Sequence, residues 1–505
     1  MTPSIQKRAL SAIGYSFVET GTTSVVGFAR AILLARLLSP DDFGIITFAL
    51  FFANLIGTLT PFSLDQAFIQ GDVDDEEKTA STVLAVDVVL AGCRFGLILL
   101  LSPLFDRLFP SYPLLPVIMP VLFAAYILGA ACNTPLALLK RRIVYRRIAA
   151  MNIAISISLT VVTVLMASAG FGLWSLVAEQ VLGRVMMFVA LFLIRPPWRL
   201  RWGLDRSLVR RFRGFSLAVS ATDLLSFLID RFDDFWTGAF LGKQSLGFYS
   251  KAYEFAGYPR RALSDPIGSV SFPLFSRLQH SRAELSQGFT RTLGFLVRAG
   301  FLVAILLFLL APQFIELLLG SKWLSMVAVF QLMVIYTLVD PLMGTVGGLF
   351  VAVGKPAVLT KVRLLQMLTF VPAVVVLGSR LDIEGVAMAA DLMAIVGFVV
   401  LLWQVRGHVD FSLRRMFLTP ILAAVVAGLV VYEIGIAVPL ADSIPLQLAV
   451  KSAAAALVYG MILVAFERTM YREYAAYLKT VVGERAPFLK SRRSRSSAEL
   501  PHVAD

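Results

Sequence analysis

From position 80 to 104 the chain reads ASTVLAVDVVLAGCRFGLILLLSPL, with two charges, Asp87 and Arg94. A helix of that length spans about 37 Å at about 1.5 Å per residue. A bilayer core needs about 20 apolar residues per helical crossing. A surface helix of a soluble protein carries one apolar stripe, whereas this segment is apolar on every side. It reads as a transmembrane helix.

The same pattern recurs on either side. Fourteen such stretches are expected, over roughly 10–37, 43–68, 80–104, 115–139, 147–169, 172–194, 214–241, 246–275, 288–311, 323–352, 356–378, 383–405, 417–438 and 445–466. The 505 residues are 58% hydrophobic and only 16% charged, against about 25% charged in soluble domains. The expected fold class is therefore all-α integral membrane, with about 14 transmembrane helices. Connectors this short leave no room for a soluble catalytic domain. Lys7 and Arg8 precede a stretch too long for a signal-peptide core, so it reads as the first permanent span.

The net charge of +13 is unevenly placed. Lys140, Arg141, Arg142, Arg146 and Arg147 crowd the fourth connector. Arg195, Arg199, Arg201, Arg206, Arg210, Arg211 and Arg213 crowd the sixth, and Arg406, Arg414 and Arg415 the twelfth. The odd connectors hold Arg107, Lys243, Lys322 and Arg380. Basic residues mark the cytoplasmic side, which puts both termini in the cytoplasm and points to anionic lipids, not nucleic acid, as the partner of the charge. The run Asp72 to Glu77 is acidic, and acids count little in that rule. After Arg468, Tyr471, Tyr474 and Tyr477 suggest an interfacial helix, and the basic run Lys490–Arg495 an attraction to anionic lipid. Cys93 and Cys132 lie in apolar helices and read as packing residues; His280, His408 and His502 fall outside the spans, so no intramembrane histidine relay is expected.

The chain repeats itself. Ala35 to Leu50 (ARLLSPDDFGIITFAL) matches Gly238 to Tyr253 (GAFLGKQSLGFYSKAY), with Phe43-Gly44 over Leu246-Gly247. Leu100–Pro103 echoes Leu309–Pro312, and Gly172 matches Gly385. Six spans per half, an even number, make a parallel pseudo-two-fold repeat. The organisation expected is an N-terminal lobe 1–194, an Arg-rich connector 195–213, a C-terminal lobe 214–406, two added spans in 407–467 and a basic tail 468–505.

An ionisable group at the bilayer centre costs about 2.5–3.5 kcal/mol on insertion scales and faces a cavity or a partner where it persists. Glu19 and Arg30 share a face of the first span, with Thr23 between them. Asp87 and Arg94 share one on the third. Glu179 and Arg184 lie on the sixth, Arg298 on the ninth and Asp391 on the twelfth. Asp223, Asp230 and Asp234 form a stripe on the seventh span, beside Arg231 and Asp233. Lys251, Glu254, Arg261 and Asp265 continue it on the eighth. Asp340-Pro341 sits in the tenth, where proline frees a carbonyl that can bend the helix or bind an ion. Two readings stand: ion pairs that fix helix packing, or a hydrophilic, partly cationic lumen. The second makes Arg30, Arg94, Arg298, Arg231 and Lys251 candidates for a phosphate and sugar headgroup, since arginine presents a planar fork of donors. It makes Glu19, Asp223, Asp230, Asp233, Asp340 and Asp391 candidate cavity or ion-coupling acids, with H⁺ or Na⁺ as the coupling ion. Arg36, Asp65, Asp106 and Arg107, near span ends, are expected to snorkel. There is no phosphate loop with a lysine, no HExxH and no nucleophile elbow, so no ATPase engine or other catalytic residue is expected, and no metal or other cofactor.

The segment Ala35–Ile45 with Ala67–Gln70, then Asp233–Gly242, Leu246–Tyr253 and Phe272–Gln279, resembles bacterial polysaccharide flippases. These are the Wzx-like polysaccharide transporter branch of the multidrug/oligosaccharidyl-lipid/polysaccharide exporter superfamily. Asp233 occupies that family's Asp–x4–Gly position ahead of Gly238, while Asp234 departs from its apolar run. The resemblance implies two six-helix lobes in a V plus two trailing helices. It also implies translocation of undecaprenyl-diphosphate-linked oligosaccharide across the bacterial inner membrane, for exopolysaccharide, capsule or lipopolysaccharide assembly. Polymerase and chain-length machinery are the implied protein partners. Two alternatives are a drug or small-molecule antiporter of the same superfamily, with a more apolar and aromatic site, and a polysaccharide polymerase or ligase. The last needs a sizeable outer loop, and the longest here is about a dozen residues.

Overall fold

A computed structural model describes residues 3–59, 64, 68–69, 75–194, 196, 198, 203–437 and 443–468. Asp65, Asp72, most of the connector from Arg195 to Trp202, Tyr471, Tyr474, Tyr477 and the Lys490–Arg495 run lie outside them. The described residues are helical with no strand. In order they form α1 (Pro3–Leu37), α2 (Pro40–Leu59), α3 (Glu76–Leu108), α4 (Leu115–Arg141), α5 (Tyr145–Ser168) and α6 (Leu173–Phe188). Then come α7 (Arg206–Trp236), α8 (Lys243–Leu278), α9 (Arg282–Leu319), α10 (Val327–Ala352), α11 (Ala357–Val405), α12 (Leu413–Ala437) and α13 (Ile444–Phe466).

Eleven of these helices are long and apolar enough to cross a membrane. One of them, α11, is two: Leu381 and Asp382 leave helical geometry, Asp382 with φ 50°, so 357–380 and 383–405 are separate spans. The two that fail on apolarity, α7 and α8, hold the densest charge, which accounts for the expected fourteen.

Local chemistry sets the ends. Ser39 and Asp42 exchange bonds around the start of α2: the Ser39 N–H and hydroxyl donate to Asp42 Oδ2 (2.9 and 2.6 Å), and Ser39 Oγ accepts the Asp42 N–H (3.3 Å). Pro40 sits at the first helical position, where its missing N–H costs nothing. Asp75 caps α3, accepting from the Glu77 and Lys78 N–H groups, both at 3.0 Å. Asp205 caps α7 through the Ser207 N–H (2.9 Å) and is held by Lys78 Nζ at 2.7 Å. Lys78 and Ser207 keep its carboxyl below the usual carboxylate range. Gly242 (φ 90°) and Gly320 (φ 97°) end α7 and α9 in left-handed geometry open only to glycine without strain. Between Trp236 and Gly242 the chain makes a π turn, Thr237–Leu241, in which the Gly242 N–H reaches back five residues to the Thr237 carbonyl (3.1 Å).

The chain falls into two compact units, residues 1–277 with 311–407, and 278–310 with 408–505. In the first, Phe48 packs among Phe52, Phe109, Tyr112 and Phe235, with centroid separations of 4.5–6.4 Å. Cys132 is buried there beside Leu139 and Leu191. Cys93, expected to pack, is exposed. In the second unit, Ala423, Ala424 and Ala427 of α12 lie in one core with Tyr459 and Leu463 of α13. Small residues of this kind let helices approach closely in a membrane. Arg298 is in this unit. Its Nε and Nη2 donate to the two Glu467 oxygens, each at 2.7 Å, and Nη1 donates to the Gly294 carbonyl at 2.7 Å.

Candidate functional site

Within the first unit, α1, α2, α6, α7 and α8 surround a cavity of about 380 Å³. Gly27, Arg30, Ala31 and Leu34 face it from α1, and Leu176, Glu179 and Gln180 from α6. These are three- and four-residue steps, the spacing of one helical face. From α8 the lining runs Ser250, Lys251, Tyr253, Glu254, Gly257, Tyr258, Arg260 and Arg261, a broader face of the same kind.

Five basic side chains meet three acidic ones here. Arg30 Nη2 lies 3.1 Å from Glu179 Oε1, Arg231 Nη1 2.9 Å from Asp234 Oδ2, and Lys251 Nζ 2.6 Å from Glu254 Oε2. Lys251 also sits 3.9 Å over the Phe43 ring, and the Tyr258 hydroxyl donates to Glu254 Oε1 at 3.3 Å. Arg260 and Arg261 have no acidic partner within the lining. Arg260 lies over the rings of Tyr253 (5.6 Å) and Tyr336 (5.1 Å) and 3.6 Å from Asp340. Arg261 lies 5.0 Å over Tyr258 and forms no ion pair among the described residues. Aromatic faces hold a guanidinium in place while leaving its edge donors free. The lining therefore carries more positive than negative side chains, the complement of an anionic group.

The structure brings together some of the sequence candidates and not others. Arg30, Arg231 and Lys251 line the cavity. Arg94 is on α3, where Asp87 acts on it electrostatically, and it is not in the lining. Arg298 belongs to the second unit, against Glu467. Glu19 accepts from Asn152 Nδ2 of α5 (2.5 Å). Asp223 is exposed on α7. Asp230 stands 3.9 Å from Arg363. Asp233 is buried, accepts from the Tyr249 hydroxyl (2.6 Å) and the Asp234 N–H (3.0 Å), and so ties α7 to α8. Asp340 reaches the cavity only through Arg260. Asp391 is buried and accepts the Tyr336 N–H (3.0 Å), joining α11 to α10. The reading from sequence left out Arg260 and the polar lining residues Asn54 and Gln180. The Arg260-Arg261 doublet after Pro259 was the visible signal for the first.

Residues 33–328 match the family profile described as "Polysaccharide biosynthesis protein". The chain belongs to that family. This family member is 26% identical to the succinoglycan biosynthesis transport protein ExoT of Rhizobium meliloti, over 94% of this chain and 96% of that one. It is 25% identical to the lipopolysaccharide biosynthesis protein WzxC of Escherichia coli, over 79% and 80% of the two chains. It is 23% identical to the teichuronic acid biosynthesis protein TuaB of Bacillus subtilis, over 92% and 96%. Its fold is that of the lipid II flippase MurJ in an inward closed conformation, with a TM-score of 0.75 over 91% of this chain and all of the other at 14% identity. An inward-facing multidrug resistance MATE transporter of the MOP superfamily matches at 0.55, over 77% and 98% of the two chains at 14% identity. The fold class expected from the sequence is thus the one found: an all-helical, multi-pass membrane protein with the architecture of this superfamily.

Proposed function

We propose that this protein moves a lipid-linked oligosaccharide, carried on undecaprenyl diphosphate, across the bacterial cytoplasmic membrane for surface or extracellular polysaccharide assembly. The observation that carries the reading is the excess of basic over acidic side chains in the cavity lining, five against three, in a chain of this family. A diphosphate supplies the complementary charge, and its lipid tail stays in the bilayer while the headgroup enters. The halves 1–194 and 214–406 rock about the cavity, with both termini in the cytoplasm. Asp340, beside Arg260, is the acid through which a bound H⁺ or Na⁺ changes the cavity's charge. ExoT, WzxC and TuaB carry polysaccharide biosynthesis in their names, which supports the substrate class.

The test is a leaflet-exposure assay in sealed vesicles containing the purified protein and a fluorescent polyprenyl-diphosphate oligosaccharide. The expected result is exposure that depends on the protein and falls about tenfold or more in Arg261→Ala, the loss of one charge-assisted contact. Equal movement of the same glycan on an uncharged lipid anchor overturns the reading.

A further inference from the structure

The charges in the cavity lining are not shared out evenly among its helices. Its basic residues come from α1 (Arg30), α7 (Arg231) and α8 (Lys251, Arg260, Arg261). None comes from α2 or α6. Those two helices bring neutral polar groups instead, Asn54 and Gln180, with the Thr47 hydroxyl seven residues before Asn54 on the same face of α2. Phe43, which lies under Lys251, is eleven residues from Asn54 along that helix, about 16 Å at about 1.5 Å per residue. The amide of α2 is thus well removed from Lys251. Gln180 follows Glu179 directly in α6, so an anion at the Gln180 amide would meet a carboxylate.

Asn54 is held in one orientation from behind. The Tyr126 hydroxyl of α4 donates to its Oδ1 (2.8 Å). With the oxygen engaged, the two Nδ2 donors remain for another partner, and among the described residues they have none. Tyr126 is itself fixed: the Arg184 guanidinium of α6 lies 3.9 Å over its ring, and Arg184 Nη1 donates to the Gln180 carbonyl (2.5 Å). The stem of Arg184 lies where α4 has a glycine, Gly129, whose added Cβ would stand 3.2 Å from Arg184 Cδ. An α2 amide is therefore set by an α4 tyrosine, which is set by an α6 arginine that also ties down the backbone of Gln180.

We infer that Asn54 and Gln180 form a neutral subsite that binds hydroxyls of an uncharged sugar, with Tyr126 as a positioning residue. A sugar hydroxyl both donates and accepts, and so does a side-chain amide, whereas arginine and lysine only donate. A donor group held in place before binding loses less freedom when its partner arrives. The inference rests on the transport reading for the nature of the cargo, and it divides the cavity's work: charged side chains of α1, α7 and α8 for the phosphates, amides of α2 and α6 for the glycan.

The experiment compares two ligands of the purified full chain, a short polyprenyl diphosphate bearing a neutral disaccharide and the same lipid diphosphate without sugar, each displacing a fluorescent polyprenyl diphosphate at equilibrium. The parent is expected to hold the disaccharide form about 25-fold more tightly, two hydrogen bonds at about fivefold each. Asn54→Leu should reduce that preference to about fivefold, and Asn54→Leu with Gln180→Leu should abolish it. Tyr126→Phe keeps the ring beneath Arg184 and loses only the hydroxyl, so the preference should fall about twofold or more. The ratio of the two affinities is the readout, because a merely structural role moves both alike. Equal affinity of the parent for the two forms, which leaves only water on the amides, overturns the inference. So does a loss in Asn54→Leu that is the same for both. Preferential binding without movement in sealed vesicles would count against the transport reading and leave the subsite standing. Equal binding and equal movement of the two lipids would do the opposite.

Discussion

Arg30 and Arg298 are both arginines within membrane helices, each beside a glutamate, and they do different things. Arg298 commits three of its five donors: two bind both Glu467 oxygens in parallel and one binds the Gly294 carbonyl, with side chains only 12% and 10% exposed. Arg30 makes a single 3.1 Å contact with Glu179 and turns the rest of its fork to a cavity that also holds Lys251 and Glu254. A saturated pair fixes helices. An unsaturated one, with other charges near enough to compensate, is free to exchange partners. The ability to bind a ligand thus depends on the donors left over, not on the presence of a buried charge.

That contrast can be broken at several points. The largest effect is expected at the saturated pair. Arg298→Ala leaves Glu467 buried without compensation, a loss of about 3–5 kcal/mol, seen as a lower melting temperature and a lower membrane level. The double variant Arg298→Met with Glu467→Leu should recover most of it, and no recovery would show the pair to be more than a packing device. Arg30→Ala should do the reverse: glycan movement falls about tenfold or more for one charge-assisted contact, while the melting temperature stays near the parent's because Lys251 remains to offset Glu179. Arg260→Lys should cost a few-fold in movement, since the charge survives and the planar fork does not. The smallest effect lies outside the membrane. Asp205 has its carboxyl lowered by Lys78 and Ser207, so its contribution is present above the ordinary carboxylate pKa of about 4 and fades only as pH falls through the lowered value. Asp205→Asn should therefore lower the melting temperature slightly near neutrality, and the difference from the parent should shrink as the pH falls on the acid side.

The sequence showed far more of the fold than of the site. Crossing a bilayer imposes a constraint on every residue of a span, so segments such as 80–104 declare themselves, and the break at Asp382 falls where spans 356–378 and 383–405 were separated. The repeat was visible because Gly44 and Gly247 are both required by close backbone approach. Arg298 was grouped with Arg30 because charge inside a span was the only available sign. Its partner, Glu467, is 169 residues away, just past the end of α13, and no spacing rule links them. Arg260 was overlooked because a strict three-and-four stripe admits Arg261 and skips its neighbour, whereas the cavity is wide enough to admit both.

The π turn at Thr237–Leu241 takes one residue more than an α turn needs. Because the Gly242 N–H has gone to Thr237, the Gly238 carbonyl is spared its usual partner four residues on, and it is this oxygen that Tyr112 occupies. In the other half no such turn is needed, since Ala35 stands close enough to the end of α1 for its oxygen to be open already. The surplus residue in the winding that follows α7 thus leaves the Gly238 oxygen open to the Tyr112 hydroxyl, as the end of α1 leaves the Ala35 oxygen open to Trp323 Nε1. Deleting one residue between 237 and 241 would close the socket while leaving Tyr112 itself untouched.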